Sequence, residues 1–277
     1  MSQLNWHRYG KAGIRLVKVD RSGPYDRIID LTIDVQLEGA FESVYRDGDN
    51  ASCLPTDTMK NTVYALARQH RIERAERFAL QLVDHFAGKP GVSTVEIGIL
   101  ERPWVPLSVG GRPHPHAFAH AGAEEWTCRA THTPGATRIV SGVTNLVLLK
   151  TADSAFAGFP RDQFTTLAET RDRVLATSVT ATWTCRPDTR RFPDRDGIRA
   201  ALVETFAEHK SESVQHTLHA MAEAALAASG DIVDITLRLP NRHHVLVDLA
   251  PFGLDNPDEI FVATEQPFGL IEATVSR

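Results

Sequence analysis

Cysteine is scarce in this chain. Cys53, Cys128 and Cys185 are the only three among 277 residues; they lie far apart, and no Cys-x-x-Cys pair occurs. That argues against a disulfide framework or a zinc knuckle and fits three reduced thiols in a reducing compartment. Long apolar runs are missing as well: no stretch approaches the roughly 20 residues of a membrane span. The residues up to Tyr9 carry no apolar signal core, and the chain ends at Arg277 without a Ser-Lys-Leu type address. A cytoplasmic location with no membrane partner is the expectation. There is no basic excess either, because 30 Lys and Arg stand against 35 Asp and Glu, a formal net charge of -5. A pI near 6.2 argues against a nucleic-acid partner, which usually needs a basic face. An anionic ligand would therefore be met by individually placed cations and not by global attraction.

What is present is an ordinary soluble composition, 42% hydrophobic and 23% charged, in a chain long enough for one large domain or two modest ones. From Arg27 to Gly39 the alternation is nearly unbroken: Ile29, Leu31, Ile33, Val35 and Leu37 point one way, with Asp30, Thr32, Asp34, Gln36 and Glu38 between them. That is a half-buried antiparallel strand. Its hairpin partner is predicted upstream, over Ile14 to Val19, before the turn residues Ser22, Gly23 and Pro24. After Pro55 the period becomes helical, with Met59, Val63 and Leu66 on one face. A cleaner stripe follows at Ala75, Phe78, Ala79, Leu82, Val83 and Phe86, ending at Gly88. Strand period then returns at Val95, Ile97 and Ile99.

The second half repeats this order. Strands are predicted around Leu146 to Leu149 and through Val179, Ala181, Trp183 and Cys185. Helical stripes follow at Ile198, Ala201, Leu202, Thr205 and Phe206, then at Val214, Leu218, Met221, Ala222 and Ala225. Strand returns at Val233, Ile235, Leu237 and Leu239. The two returning strands lie about half a chain apart, so the economical reading is an internal duplication of a ββααββ unit. Strand pairs bracketing helices give an α+β architecture with the helices on one sheet face. The boundary is placed between residues 135 and 136, giving halves 1–135 and 136–277.

Several positions could carry chemistry. Thr56 and Asp57 read as a helix start with good capping residues, and such a start leaves backbone N–H groups free for an anion. Lys210 to Gln215 reads as the matching start in the second half, and the Gln215 amide offers both a donor and an acceptor, as the edge of a purine-like ring requires. Pro240 to His244 follows the last strongly apolar strand, so a histidine there is either a surface loop residue or a general acid or base. Lys11, just before a strand, is either a solvated charge or a functional one.

One segment is more distinctive. Leu146, Leu148, Leu149, Lys150 and Ser154 lead into Phe156, Phe159, Phe164, Leu167 and Arg173, a spaced run of aromatic, leucine and arginine residues. It offers a ring to stack on a flat heterocycle and a guanidinium whose planar fork can grip that heterocycle's edge. The run resembles the signature segment of urate oxidase, with Ala152 where that family more often carries threonine. Tyr9, Gly10 and Lys11 with Arg15, Thr56 and Asp57 with Lys60 to Thr62, Ser213 to Gln215, and Leu239 to His243 are also similar to family segments. Together they span essentially the whole chain in order.

The resemblance implies two tandem tunnelling-fold domains, with subunits joined edge to edge into a barrel around a tunnel as a homotetramer. It implies oxidation of urate by dioxygen to 5-hydroxyisourate and hydrogen peroxide, without a cofactor. Arg173 and Gln215 would clamp the urate ring while Phe156 stacks on it, and backbone groups of Asp57 and Val214 would complete the planar hydrogen-bond set. Thr56, Lys11 and His243 would relay a proton, and Asn241 would hold oxygen or water above the ring. Lys11, Thr56 and Asp57 would serve the active site of the neighbouring subunit. The alternatives are a metal-dependent pterin synthase or cyclohydrolase of the same fold and a non-catalytic purine-binding homologue. His114, His116 and His120 alternate as metal ligands on a strand can, but a similar stretch occurs in urate oxidases, which need no metal, and a structural role is the expectation.

Overall fold

The computed structural model describes residues 2–187 and 191–277 and divides into two compact units. Unit 1 is Met1–Gly142 with Thr184–Phe192, and unit 2 is Val143–Trp183 with Pro193–Arg277.

In unit 1 the chain opens with β1 (Tyr9–Asp20) and β2 (Arg27–Gly39), paired antiparallel. A short helix α1 (Glu42–Arg46) leads to α2 (Thr56–Gln69) and α3 (Ala75–Ala87). Then come β3 (Val92–Arg102), β4 (Trp104–Val109), β5 (Arg112–His120), β6 (Glu125–Thr133) and β7 (Ala136–Lys150), the last running on into unit 2. β2 pairs antiparallel with β3, and β3 with β6. The five alternating residues Ile29 to Leu37 are all buried, and so are Phe78, Leu82 and Phe86 of the α3 stripe. α3 packs on β3 and β6 and α2 on β1, so one face of the sheet is closed by the apolar stripes that the sequence spaced at helical period. Truncating Phe86 to alanine in such a core costs about 3–5 kcal/mol. β4 and β5 form a separate two-stranded ribbon that the repeat pattern did not announce, because β4 is exposed along its whole length and so carries no burial alternation.

β1 contains a bulge. Lys11 faces Val35 and Ile14 faces Ile33, so three steps on β1 match two on β2. Gly13 takes φ +68° there, a backbone conformation that glycine adopts at no steric cost. The extra residue flips the parity of the strand: Tyr9 and Lys11 before it, and Ile14, Leu16 and Lys18 after it, all point to the helix-bearing side.

Unit 2 contains the rest of β7, most of β8 (Leu175–Cys185), α4 (Arg195–Glu208), α5 (Val214–Ala228), β9 (Ile232–Leu246), a 3₁₀ turn at Ala250–Phe252, and β10 (Phe261–Ser276). β7, β8, β9 and β10 are neighbours in that order, with β9 and β10 antiparallel. α5 packs on β9 and β10 through Val214, Leu218, Met221, Ala222 and Ala225, every one buried. Ile235, Leu237 and Leu239 are buried as the alternation requires, whereas Val233 at the strand's start is 39% exposed.

Two local expectations are corrected. Thr56 and Asp57 do not cap α2: Pro55 occupies the cap position, no side chain caps the helix, and Thr56 and Asp57 are its first two residues. Pro240 to His244 do not follow the strand but lie inside β9. Proline is tolerated there because β10 slips against β9 between Thr264 and Gly269, beside the Pro240–Leu270 pair.

Candidate active site

In unit 1 the strand register aims Lys11. Directly opposed residues share a sheet face, and Tyr9 and Lys11 stand opposite Leu37 and Val35, both fully buried. Lys11 therefore leaves β1 on the side that α2 covers. The close approach of β1 to β2 depends on Gly10, where an added Cβ would lie 1.9 Å from the Val35 carbonyl oxygen. Tyr9 Oη accepts a hydrogen bond from the Leu54 backbone N–H at 2.9 Å, and its ring meets Phe41 edge-on at 5.0 Å. Burial, with Cys53 next to it, pushes the Tyr9 phenol up to about 12. At the other end of α2, Lys18 Nζ donates to the carbonyls of Ala67 and His70 at 2.6 and 2.7 Å. β1 thus holds α2 near both ends, and Lys11 lies on the same strand face between those two ties.

Thr56 and Asp57 stand where a helix has N–H groups without intrahelical acceptors. The Asp57 carboxylate accepts from Lys60 Nζ at 2.5 Å and from Asn61 Nδ2 at 2.9 Å. The Lys60 hydrogen bond and charge hold that carboxyl below its ordinary range, with Asn61 and the charge of Lys11 adding in the same direction.

In unit 2, backbone bridges assemble a second cluster. Phe156 and Thr170 exchange backbone hydrogen bonds of 2.8 and 3.0 Å; Ala155 N–H donates to Ser211 O at 2.7 Å, and Ser211 N–H to Asp153 O at 2.9 Å. These bonds tie the Phe156 segment to the stretch that enters α5. Ser213 caps α5, its Oγ accepting from the His216 N–H at 3.1 Å, so Val214 and Gln215 are the first two helical residues, as Thr56 and Asp57 are in α2. Val214 is buried and Gln215 exposed.

The rings and guanidinium groups form a stack. Arg173 Cζ lies 5.5 Å from the centre of the Phe156 ring. Phe159 stacks on Phe156 at 4.9 Å with 16° between planes, and Arg161 Cζ sits 5.4 Å from the Phe159 ring. Arg173 is half-buried and has no hydrogen-bond or salt-bridge partner among the described residues, and its Nε is buried without an acceptor. Burial lowers its pKa from the ordinary arginine value, the direction for a cation stripped of water with no counter-charge. Arginine stays protonated regardless, so the site holds a fixed positive charge ready for an anion. Arg173 also lines a cleft of about 550 Å³ with Thr170, Asp172, Val174 and His244.

A model of the uricase family matches residues 7–131 and 139–272. The chain belongs to the uricase family. The uricase of Arthrobacter globiformis is 42% identical to it, over 99% of this chain and 90% of its own length. That of Cyberlindnera jadinii is 36% identical, over 99% and 97%. The crystal structure of the Arthrobacter globiformis uricase superposes with a TM-score of 0.93 at 41% identity, covering 100% of this chain and 96% of that one. The antiparallel α+β fold is thus shared with a solved uricase over the whole chain.

The uricase-type residues named from the sequence fall into three groups. Lys11 leaves β1 on the side covered by α2, whose first two residues are Thr56 and Asp57. Phe156 and Arg173 are in contact and bridged by backbone to the start of α5, where Val214 and Gln215 lie. Asn241 and His243, two apart on β9 and so on one strand face, pair across with Gly269 and Thr264; among the described residues no hydrogen bond joins either to Arg173 or Gln215. It is His244, on the opposite strand face, that lines the Arg173 cleft. His114, His116 and His120 lie on β5, with the first two rings 4.5 Å apart and His120 against Trp104. Among the described residues no group of three or more His, Cys, Asp or Glu is placed to hold a metal ion, and no helix is long and apolar enough to cross a membrane. Sequence reasoning passed over Tyr9, Phe159 and the Gly13 bulge as structural devices, although the shift in parity between Lys11 and Ile14 was legible.

Proposed function

We propose that this uricase-family chain oxidises urate with dioxygen and water to 5-hydroxyisourate and hydrogen peroxide. The observation that carries the reading is Arg173: a half-buried guanidinium with no hydrogen-bond or salt-bridge partner among the described residues, against an aromatic ring. Urate is a flat anion at neutral pH, and it matches both demands at once. Arg173 grips its edge by charge-assisted hydrogen bonds, Gln215 supplies a donor and an acceptor, and Phe156 covers one face. Backbone groups of Asp57 and Val214, at the two helix starts, complete the in-plane contacts.

Chemistry follows from the substrate. Urate is electron-rich, and loss of a proton makes it richer, so it can reduce dioxygen directly and no cofactor enters the proposed reaction. The protein's part is to orient the anion, take the proton and hold oxygen at the ring. Lys11 and Thr56 take that proton, with His243 as the third member of the relay, and Asn241 holds dioxygen and then water over the ring. Oxidation removes two electrons from urate and forms peroxide from dioxygen; water then adds at C5, and the atoms balance to 5-hydroxyisourate.

Lys11, Thr56 and Asp57 act on a site whose Phe156, Arg173 and Gln215 come from another subunit, in a homotetramer of barrel form built from the two halves 1–135 and 136–277. We place the reaction in cytoplasmic urate degradation. Anaerobic titration tests the binding half of this reading. Urate should bind the wild-type protein without being consumed and bind Arg173→Ala far more weakly; equal binding by both rejects the assignment of Arg173.

A further inference from the structure

We propose that Tyr9 is a positioning residue for the Lys11–Thr56 pair, a role that rests on the reaction proposed above. Tyr9 is two residues from Lys11 on the same face of β1, so a shift of its side chain is passed to Lys11 through one pleat of strand. Its hydroxyl accepts the Leu54 N–H at 2.9 Å, and Leu54 is followed by the cap residue Pro55 and then by Thr56. A single hydrogen bond therefore connects the strand that carries Lys11 with the turn that delivers Thr56. It belongs to a rigid setting: the Tyr9 ring is packed edge-on against Phe41, which is itself fully buried, and Gly10 allows β1 to lie against β2 at that point. The bulge lies between Lys11 and Ile14, so register on that side is broken immediately after Lys11, and the Tyr9 contact is the tie between strand and helix start on the other.

The far end of α2 has its own tie, Lys18 to Ala67 and His70, which touches neither Lys11 nor Thr56. That supplies an internal control. Tyr9→Phe keeps the ring and removes the acceptor for Leu54 together with the hydroxyl's contact with Cys53; Lys18→Met removes the far tie. Urate kcat and KM, and the melting temperature, are measured for wild type, both variants and Lys11→Ala. The expected result is a kcat about 5- to 50-fold lower in Tyr9→Phe with KM within about twofold of wild type, and a kcat near wild type in Lys18→Met even where its melting temperature falls as far. An unchanged kcat in Tyr9→Phe overturns the proposal, as does a loss in both variants that simply tracks their melting temperatures. A Tyr9→Phe protein that does not fold overturns it too, because the hydroxyl is then a stability element. If wild type fails to turn over urate, or Lys11→Ala keeps full turnover, the underlying reaction is at fault and not the role of Tyr9.

Discussion

Replacing Arg173 with methionine should move stability and binding in opposite directions. In the free protein the guanidinium is half-buried, lies over Phe156 at 5.5 Å, and leaves Nε without an acceptor. An unpaired buried polar group is a cost to the fold, and methionine replaces it with an apolar chain of similar reach that packs well against a ring. Removing a charge held in an active site for its ligand commonly stabilises by about 0.5–2 kcal/mol, which raises the melting temperature by a few degrees in a protein of this size. Bound urate, in contrast, loses charge-assisted hydrogen bonds worth about 1.5–3 kcal/mol, or roughly a 10- to 150-fold loss of affinity. The assay pairs thermal unfolding without ligand with anaerobic urate titration of the same preparations. A variant that is less stable without urate would refute the reasoning, since Arg173 would then be paired in solution and not waiting for an anion. So would a variant that binds urate as well as wild type.

Other outcomes follow from the same geometry. Lys11→Ala and Thr56→Ala should slow turnover by about 10²- to 10⁴-fold, as expected when a positioned proton acceptor is lost, with urate affinity much less affected; steady-state kinetics beside anaerobic binding will separate the two. Mixing Lys11→Ala with Arg173→Ala under conditions of subunit exchange should restore activity, because some sites then draw an intact half from each chain, and no recovery despite proven exchange counts against a shared site. Burial, then the neighbouring His216 and Lys150, lower the pKa of His209. The unfolded chain therefore takes up the proton first, and stability should fall as pH drops below the ordinary histidine value of about 6.5 until the folded-state value is passed. His209→Gln should flatten that part of the pH–stability curve, measured by urea unfolding between pH 7 and pH 5.

The burial of Ile29, Leu31, Ile33, Val35 and Leu37 was legible because period 2 over a long run has one reading, and the α3 stripe because period 3.6 does. The β4–β5 ribbon was not, since a strand exposed on both sides leaves no alternation to read. Pro240 misled for a related reason: a proline marks a strand's end unless the neighbouring strand slips, and the slip lies in β10, some distance away in the chain. At the site, the residue types and their order pointed to a flat anion before any geometry was known. What they could not reveal was spatial. That Arg173 has no hydrogen-bond or salt-bridge partner among the described residues, that Phe159 turns back to stack on Phe156, and that Tyr9 fastens β1 to the entry of α2 are facts of packing, not of residue type or spacing. Thr56 shows the limit of capping rules, since Pro55 takes the cap position and leaves Thr56 inside the helix.

Direct, metal-independent oxidation of urate by dioxygen fixes the stoichiometry of the reaction. Urate, dioxygen and peroxide are followed together in buffer freed of metal and supplied with chelator, with peroxide-destroying activity excluded. One dioxygen should be consumed and one peroxide formed for each urate lost, at a rate the chelator does not change. Urate loss without peroxide, or activity abolished by the chelator and restored by a metal ion, would contradict it.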